Sequence, residues 1–506
     1  MTGLGTARSY WIFCALLLPV VIFSAFDRSW NQDADIWETS AAIRAASHNL
    51  VHPVNPLLPL PGDTSPRFTP FVLFWGLFMR LTGLQLFAVV GLAGIVNYIL
   101  FVTGLARWLT RQTGEPKFAL PAFLIMLTVW GTGYVYANAY QIGFFLASLA
   151  YVGTFAYGVS FHALACLGRS VTDRSRSSLA GYTLLSVLSF LSHPITTAFQ
   201  FVAAVAILLP RKDWKQLLRI QTVPLLCLAA AIAWPYFDYW AVLFKGSTEN
   251  WFPAALFSGQ VVRIGTALAG LPIAVYFAVR RRHLWVVWGV FICTAIYAFS
   301  GAVRFLMGSR FLLYGAIFLH FAIALYLFDN WPHWIRQVSF SKPRHFLKPV
   351  IVLLLILPAL PWRYAEVRSI AESFAHNALG AEQANTPSDR LSFLAGQLSH
   401  SDVVLAEDDT GWPVPALTGA HLVSQQKGDP LIQSEVLRRR EDARQFFQGS
   451  LGVEERRAIL QRYHVTHILL DMTLHDRWSA FLMAQITQLA VEQASYDHIV
   501  LYLVQP

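Results

Sequence analysis

Long apolar runs alternate with short polar and basic stretches along most of the chain. A helix crossing ~30 Å of hydrocarbon needs about 20 mostly apolar residues. The runs that approach this length are Tyr10–Phe26, Leu86–Leu105, Phe118–Tyr136, Gln141–Leu164, Leu179–Ser192, Ile195–Leu209, Val223–Phe244, Val261–Phe277, Leu284–Ser300, Phe311–Phe328 and Pro349–Pro361. The pattern predicts a polytopic α-helical membrane protein with about eleven transmembrane helices. If the N-terminus is cytoplasmic, alternate loops collect the lysines and arginines: Arg107, Arg111 and Lys117, then Arg169, Arg174 and Arg176, then Arg211, Lys212, Lys215 and Arg219. Arg280–Arg282 follow, and then Arg336, Lys342, Arg344 and Lys348. Positive residues stay inside, so this alternation orients the spans and leaves the C-terminus outside.

Two regions break the pattern. The outer segment Asp27–Gly83 holds an acidic cluster, Asp27, Asp33, Asp35 and Glu38. It continues into a helix-like stretch, Asp35–Leu50, with Ile36, Ile43 and Leu50 one heptad apart, and then a strip containing Pro53, Pro56, Pro59 and Pro61. Prolines so spaced suit an extended chain. Phe68–Leu81 is apolar but too short to span, and is expected to lie in the interface. In the second region, Arg363–Pro506, polar residues return to soluble density. Val403–Leu405, Thr466–Leu470 and Ile499–Val504 read as buried strands, and Asp389–Leu398, Asp429–Phe447, Val453–Tyr463 and Arg477–Ala494 as helices. The expected organisation is a transmembrane domain over residues 1–361, carrying the outer loop 27–83, and an extracytoplasmic α/β domain over residues 362–506.

Composition removes whole classes. Only 13% of the 506 residues are charged and 55% are hydrophobic, where a soluble protein carries about a quarter charged residues. Cytosolic enzymes, disulfide scaffolds and disordered tails do not fit. The net charge of +9 would suggest nucleic acid in a soluble chain. Here the basic residues sit in loops between spans, orientation accounts for them, and no nucleic-acid partner is expected. The four cysteines, Cys14, Cys166, Cys227 and Cys293, lie in apolar segments without paired spacing and read as small core residues. The block Tyr10–Phe26 follows Arg8 but leads to no small-residue cleavage site, so it reads as a retained first helix.

Candidate chemistry collects on the outer side. Asp33-Ala34-Asp35 supplies a general base or a metal ligand, and a divalent ion is one possibility. Equally, Asp35-Ile36-Trp37-Glu38 matches an acidic capping box with Asp35 as the cap. Arg67, Arg304 and Arg310 are basic residues on the outer face, where the orientation rule disfavours them. Their guanidinium forks suit a phosphate, and snorkelling or pairing with the acidic cluster is the alternative. His193-Pro194 sits at an outer turn, as a substrate contact or simply a turn residue. Lys245, Glu249 and Trp251 occupy another outer loop, as part of a lid or an exposed tip. No P-loop, dinucleotide turn or H-E-x-x-H is present, so ATP-driven transport and zinc-protease chemistry have no support.

The first span leads to Asp33-Ala34-Asp35-Ile36-Trp37 and Ala41-Ala42-Ile43-Arg44-Ala45, then Asn55-Pro56-Leu57-Leu58 and Ser65-Pro66-Arg67-Phe68-Thr69-Pro70. This order resembles the GT-C class of membrane glycosyltransferases, which includes protein O-mannosyltransferases and the lipid A aminoarabinose transferase. Val404-Leu405-Ala406 to Gly411, with Pro415-Ala416-Leu417-Thr418-Gly419, resembles outer domains of bacterial members. The resemblance implies that an aspartate of the first outer loop acts at the catalytic centre, with basic residues holding the phosphate of a polyprenyl-phosphate sugar. It also implies a bacterial inner-membrane enzyme that glycosylates an envelope glycan, lipid or protein on the outer face, in contact with membrane lipid. The mannosyltransferases carry an Asp-Glu pair in this loop, whereas here Asp33 and Asp35 flank an alanine. Asp35 is the first choice as base because it lies nearer the amphipathic helix, with Asp33 second. His193, Glu249 and Lys245 are the substrate-contact candidates. A flippase of lipid-linked sugars is the rival. It calls for ionisable residues at mid-membrane and inverted repeats, and neither is evident here. A non-catalytic assembly protein is a third reading.

Overall fold

The computed structural model describes residues 3–26, 34–60, 65–131, 140–244, 254–329, 357, 360–378, 387–427, 429, 431–448, 450–473 and 480–505. The chain divides into two compact units. One comprises Met1–Ala25, Ala93–Ala230 and Trp251–Ala381, and the other Phe26–Leu92, Ala231–Asn250 and Glu382–Pro506. Four helices open the chain: α1 (Gly3–Phe26), α2 (Ala34–His48), α3 (Pro70–Thr82) and α4 (Leu86–Thr113).

Among the described residues, 7 helices are long and apolar enough to cross a membrane. They are Ala7–Phe26, Leu86–Thr113, Pro194–Arg211, Trp214–Ile232, Gln260–Arg280, Leu284–Ala302 and Met307–Leu327, and each coincides with or overlaps a run expected from the sequence. Several runs depart from a single long helix, for local reasons. The run Phe118–Tyr136 gives a helix that stops at Thr128. Beyond it, His320 Nε2 donates to Val129 O at 2.6 Å and Arg363 Nη2 donates to Gly131 O at 3.1 Å. The run Gln141–Leu164 breaks between Ile142–Ala147 and Val152–Asp173. There the buried Asn97 Nδ2 donates to Leu149 O (2.8 Å) and to Tyr151 O (3.3 Å). Both breaks thus have their freed carbonyls met by protein donors, the condition under which irregular backbone survives in an apolar surrounding. The run Leu179–Ser192 is one helix of 17 residues, Arg176–Ser192. Val223–Phe244 is not a single span. Its helix ends at Ile232, just before Trp234-Pro235, where proline removes a donor and restricts the residue before it. Pro349–Pro361 lies mostly outside the described residues.

An aromatic core fills the first unit. Trp108 stacks on Phe161 with ring centroids 5.4 Å apart, and Phe199 packs against both Tyr157 and Tyr314.

The second unit is built on a mixed sheet of β1 (Val403–Ala406), β2 (His421–Leu422), β3 (His467–Asp471), β4 (Ala490–Tyr496) and β5 (Ile499–Val504), in the order β2-β1-β3-β5-β4. β1 runs parallel to β2 and β3, whereas β5 is antiparallel to both β3 and β4. Successive side chains point to opposite faces. Val403, Leu405, Ile468 and Leu470 pack into one core with Phe446, Leu460 and Ile486, while Val404, Ala406 and Leu469 pack into another with Leu394 and Val414. Burial on both faces explains why β1 reads as a continuous apolar run. Arg456 is fully buried in this unit and donates from Nε to Phe446 O at 2.9 Å. The helix expected over Arg477–Ala494 is corrected. Among the described residues, the helix covers Ala480–Leu489 and Ala490–Tyr496 is the edge strand β4, whose mostly exposed side chains carry no apolar alternation to announce it. Asp389–Leu398 likewise resolves into two short turns of helix, Pro387–Arg390 and Ser392–Gly396.

Residues between α1 and α4 complete this unit. Leu422 N donates to Leu57 O at 2.7 Å, so the proline strip covers the edge strand β2. The Asn55 side chain accepts from the N–H groups of Leu57 and Leu58, both at 3.1 Å, and shapes that strip. Thr69 caps α3 by accepting from Val72 N, and Pro70 follows at the start of the helix. α2 and α3 approach closely at Gly76, where an added Cβ would meet Ala46 Cβ at 2.6 Å.

Candidate active site

The acidic loop delivers one described aspartate to the first turn of α2. The helix already includes Ala34, so Asp35 sits inside the turn and not at the capping position expected for it. A carboxylate there still faces the positive end of the helix dipole. Residue 33, where the cap would fall, lies outside the described residues, as do Lys245, Glu249 and Trp251.

Asp35 Oδ1 pairs with Lys427 Nζ, from the segment after β2. The pair is accessible: the Asp35 side chain keeps 39% of its surface exposed and Lys427 41%. Lys427 also lies over the Trp412 ring, 5.6 Å from its centroid. Gln426, beside it in the chain, donates to Asp409 at 2.7 Å.

One turn along α2, Glu38 is in a different state. Its side chain is only 11% exposed, and Arg67 Nη2 reaches it at 2.9 Å. Arg67 Nη1 also reaches Asp429 Oδ2 at 3.2 Å. Burial alone would push the Arg67 guanidinium down, but the two carboxylates outweigh it and the net shift is upward. Arg67 is therefore a buried cation neutralised by two anions, inside the unit that carries Asp35. The site thus separates its acids: Asp35 is reachable, and Glu38 is pinned.

The remaining sequence candidates belong to the first unit. His193 ends the helix Arg176–Ser192 and caps Pro194–Leu208, accepting from Thr196 N at Nδ1 (3.3 Å). That bond assigns the proton of the neutral ring to Nε2. Burial, then the charge of Arg310, pushes its imidazole down to about 4. The structure therefore brings His193 and Arg310 into one neighbourhood. Arg304 is exposed in the turn before Leu306–Arg310, with a left-handed backbone (φ 56°). Among the described residues, no group of three or more His, Cys, Asp or Glu side chains is arranged to hold a metal ion.

Sequence reasoning missed Lys427, Trp412 and Asp429. Nothing in their local pattern ties them to a loop several hundred residues earlier. The one available signal was the extra charge of Lys427 and Asp429 between β2 and the helix Gln433–Gln448.

No family model and no curated protein matches the chain in sequence. Among solved structures, the oligosaccharyltransferase of Archaeoglobus fulgidus superposes with a TM-score of 0.48 at 14% identity, over 92% of this chain and 70% of that one. The mycobacterial arabinofuranosyltransferase AftD superposes with a TM-score of 0.58 at 15% identity, over 99% of this chain. The chain spans 40% of the length of AftD. Almost from end to end, this chain shares the fold of the part of AftD that it matches.

Proposed function

We propose that the protein is a membrane glycosyltransferase that moves a sugar from a polyprenyl-phosphate donor to an envelope glycan, lipid or protein on the extracytoplasmic face. The observation that carries this reading is an accessible carboxylate, Asp35, on the first-loop helix of a chain with this fold. Asp35 takes the proton of the acceptor hydroxyl as that oxygen attacks the anomeric carbon. The bond from this carbon to the phosphate oxygen breaks, and polyprenyl phosphate leaves with the electron pair. One displacement inverts the anomeric configuration. General-base help of this kind is worth ~10²–10⁴ in rate.

Each candidate then has a role. Arg304 and Arg310 stabilise the leaving phosphate, as charged forks do. Arg67 holds Glu38 and Asp429 together, so its charge supports the loop that presents Asp35. Asp33 is the second candidate base, and His193, Lys245 and Glu249 are candidate substrate contacts. About eleven spans, a cytoplasmic N-terminus and an outer C-terminal domain in a bacterial inner membrane complete the proposal.

The test is purified protein incubated with polyprenyl-phosphate sugars and assayed for free polyprenyl phosphate. Acceptor-dependent release is expected. Translocation of the intact lipid-linked sugar, with no release, would make the protein a flippase instead.

A further inference from the structure

A second group of cation-forming side chains gathers at the other end of α2. Arg44, His48, His400 and His421 line a cavity of about 130 Å³, closed by Asn55 and Gly419 among others. No acidic side chain lines it among the described residues. A water occupies ~30 Å³ of liquid, so the cavity has room for about four waters, the size of a tetrahedral oxyanion or a carboxylate.

The four side chains come from three segments, α2 supplying both Arg44 and His48, and each is positioned by its own contacts. Arg44 Nε donates to Ala416 O at 2.8 Å, in the short helix Val414–Thr418. Neither Nη of Arg44 bonds a protein acceptor among the described residues, and burial pushes this guanidinium down with no carboxylate beside it. His421 Nε2 donates to Asn55 O at 3.1 Å. The His48 and His400 rings lie nearly parallel, with centroids 6.5 Å apart. Burial, then Arg44, then His400 hold the His48 imidazole below its ordinary value. Asp402, near His400 in the chain, is turned to Ser399 and lies beside His467. Gly419 has φ 86°, and a Cβ there would touch Arg44 Cδ at 3.5 Å. A cavity walled by an arginine without a carboxylate partner and three imidazoles is the inverse image of an anion.

We propose that this cavity binds an anionic group, a phosphate or a sugar carboxylate, borne by the acceptor. The proposal rests on the transferase reading. At 1.5 Å rise per residue, Arg44 lies about 14 Å along α2 from Asp35, so an anion held here fixes an acceptor chain at a set distance from the base. Burial, Arg44 and His400 disfavour the charged form of His48 in the empty cavity, and an anion there favours it, so binding takes up a proton at His48.

The test is calorimetric titration of the full-length, detergent-solubilised protein with inorganic sulfate, whose charge is constant across the range, and separately with galacturonate. One equivalent is expected to bind, several-fold more tightly at pH 6 than at pH 8. Arg44→Ala should weaken binding at least tenfold. That change also uncaps Val414–Thr418, so the partly exposed pair His48→Gln/His400→Gln is the second variant, and it should abolish the pH dependence with unchanged melting. Binding of sulfate alone assigns the cavity to a phosphate-bearing acceptor, and binding of galacturonate to a uronic-acid one. Unchanged affinity in both variants, or no saturable binding of either anion, overturns the proposal. The titration contains no donor and no transfer, so its failure is separate from failure of the transferase reading, which is read by release of polyprenyl phosphate.

Discussion

Arg67 and Asp429 meet at 3.2 Å although 362 residues separate them in sequence. Glu38 completes the triad from the other side. Removing the cation strands two buried carboxylates, so Arg67→Ala should destabilise the protein by ~3–5 kcal/mol. Lys427→Ala breaks an ion pair whose members are both well exposed, and should cost under ~1 kcal/mol. Thermal unfolding of the two solubilised variants side by side checks the contrast. Equal shifts would mean that burial does not set the difference.

Asp35→Asn tests the base. The substitution keeps the size of the side chain and most of its hydrogen bonding. Because Asp35 lies within the first turn and its pair with Lys427 is accessible, the loss is a charge–dipole contribution of ~0.3–1 kcal/mol and an ion pair worth under ~1 kcal/mol. Transfer should fall by ~10²-fold or more with donor binding unchanged. Asp33→Asn is the paired measurement, and the more damaging change identifies the base. Wild-type rates in both variants would remove the acidic loop from the chemistry.

Arg304→Ala and Arg310→Ala should each weaken donor affinity, and lysine at either position should restore it only in part, since lysine keeps the charge and loses the fork. Donor titrations below saturation read this directly. Affinity unchanged in both alanine variants would assign these arginines to the lipid headgroups.

Gly76→Ala should cost ~1–3 kcal/mol, because Ala46, at 2.6 Å from the new methyl, is too short to move aside. The readout is the unfolding midpoint. Loss of activity at full stability would instead point to a shift of α2.

Acid should weaken the second unit in two stages. Burial holds His467 below its ordinary value, against the opposing pull of Asp402 and Gln493. The unfolded chain therefore takes up this proton first, and stability falls as pH drops from about 6.5 toward the lower folded value. Burial pushes the Asp402 carboxyl up, but bonds from Ser399, the nearby His467 and Thr466 outweigh it and hold it low. Its contribution is present above about pH 3.9 and lost below that, toward its own folded value. His467→Gln should flatten the first stage and shrink the second without removing it, because the bonds from Ser399 to Asp402 remain, as followed by melting temperature against pH.

Legibility tracked the range of the interactions. The spans from Ala7–Phe26 to Met307–Leu327 were readable because a continuous apolar run needs no partner to announce itself. β1, β3 and β5 were readable for the same reason, being apolar on both faces. The breaks at Thr128 and Ala147 were not, because they depend on His320, Arg363 and Asn97 arriving from other helices. β4 was hidden because its register comes from β5 and not from its own pattern. Asp35 could be singled out from its position after the first span. Lys427 beside it could not, since local sequence carries no record of a pairing between residues so far apart.

The bond from Leu422 N to Leu57 O has a consequence for how the protein is made. The proline strip emerges from the ribosome early and the strand whose edge it covers emerges near the end. Contacts of such separation are slow to close, because the entropy of the intervening loop is lost before they form. Until then β2 presents an open edge, the kind of surface that pairs with other chains. A fragment beginning at residue 382 would keep all five strands and still lack its edge cover, so it should aggregate where the full chain does not.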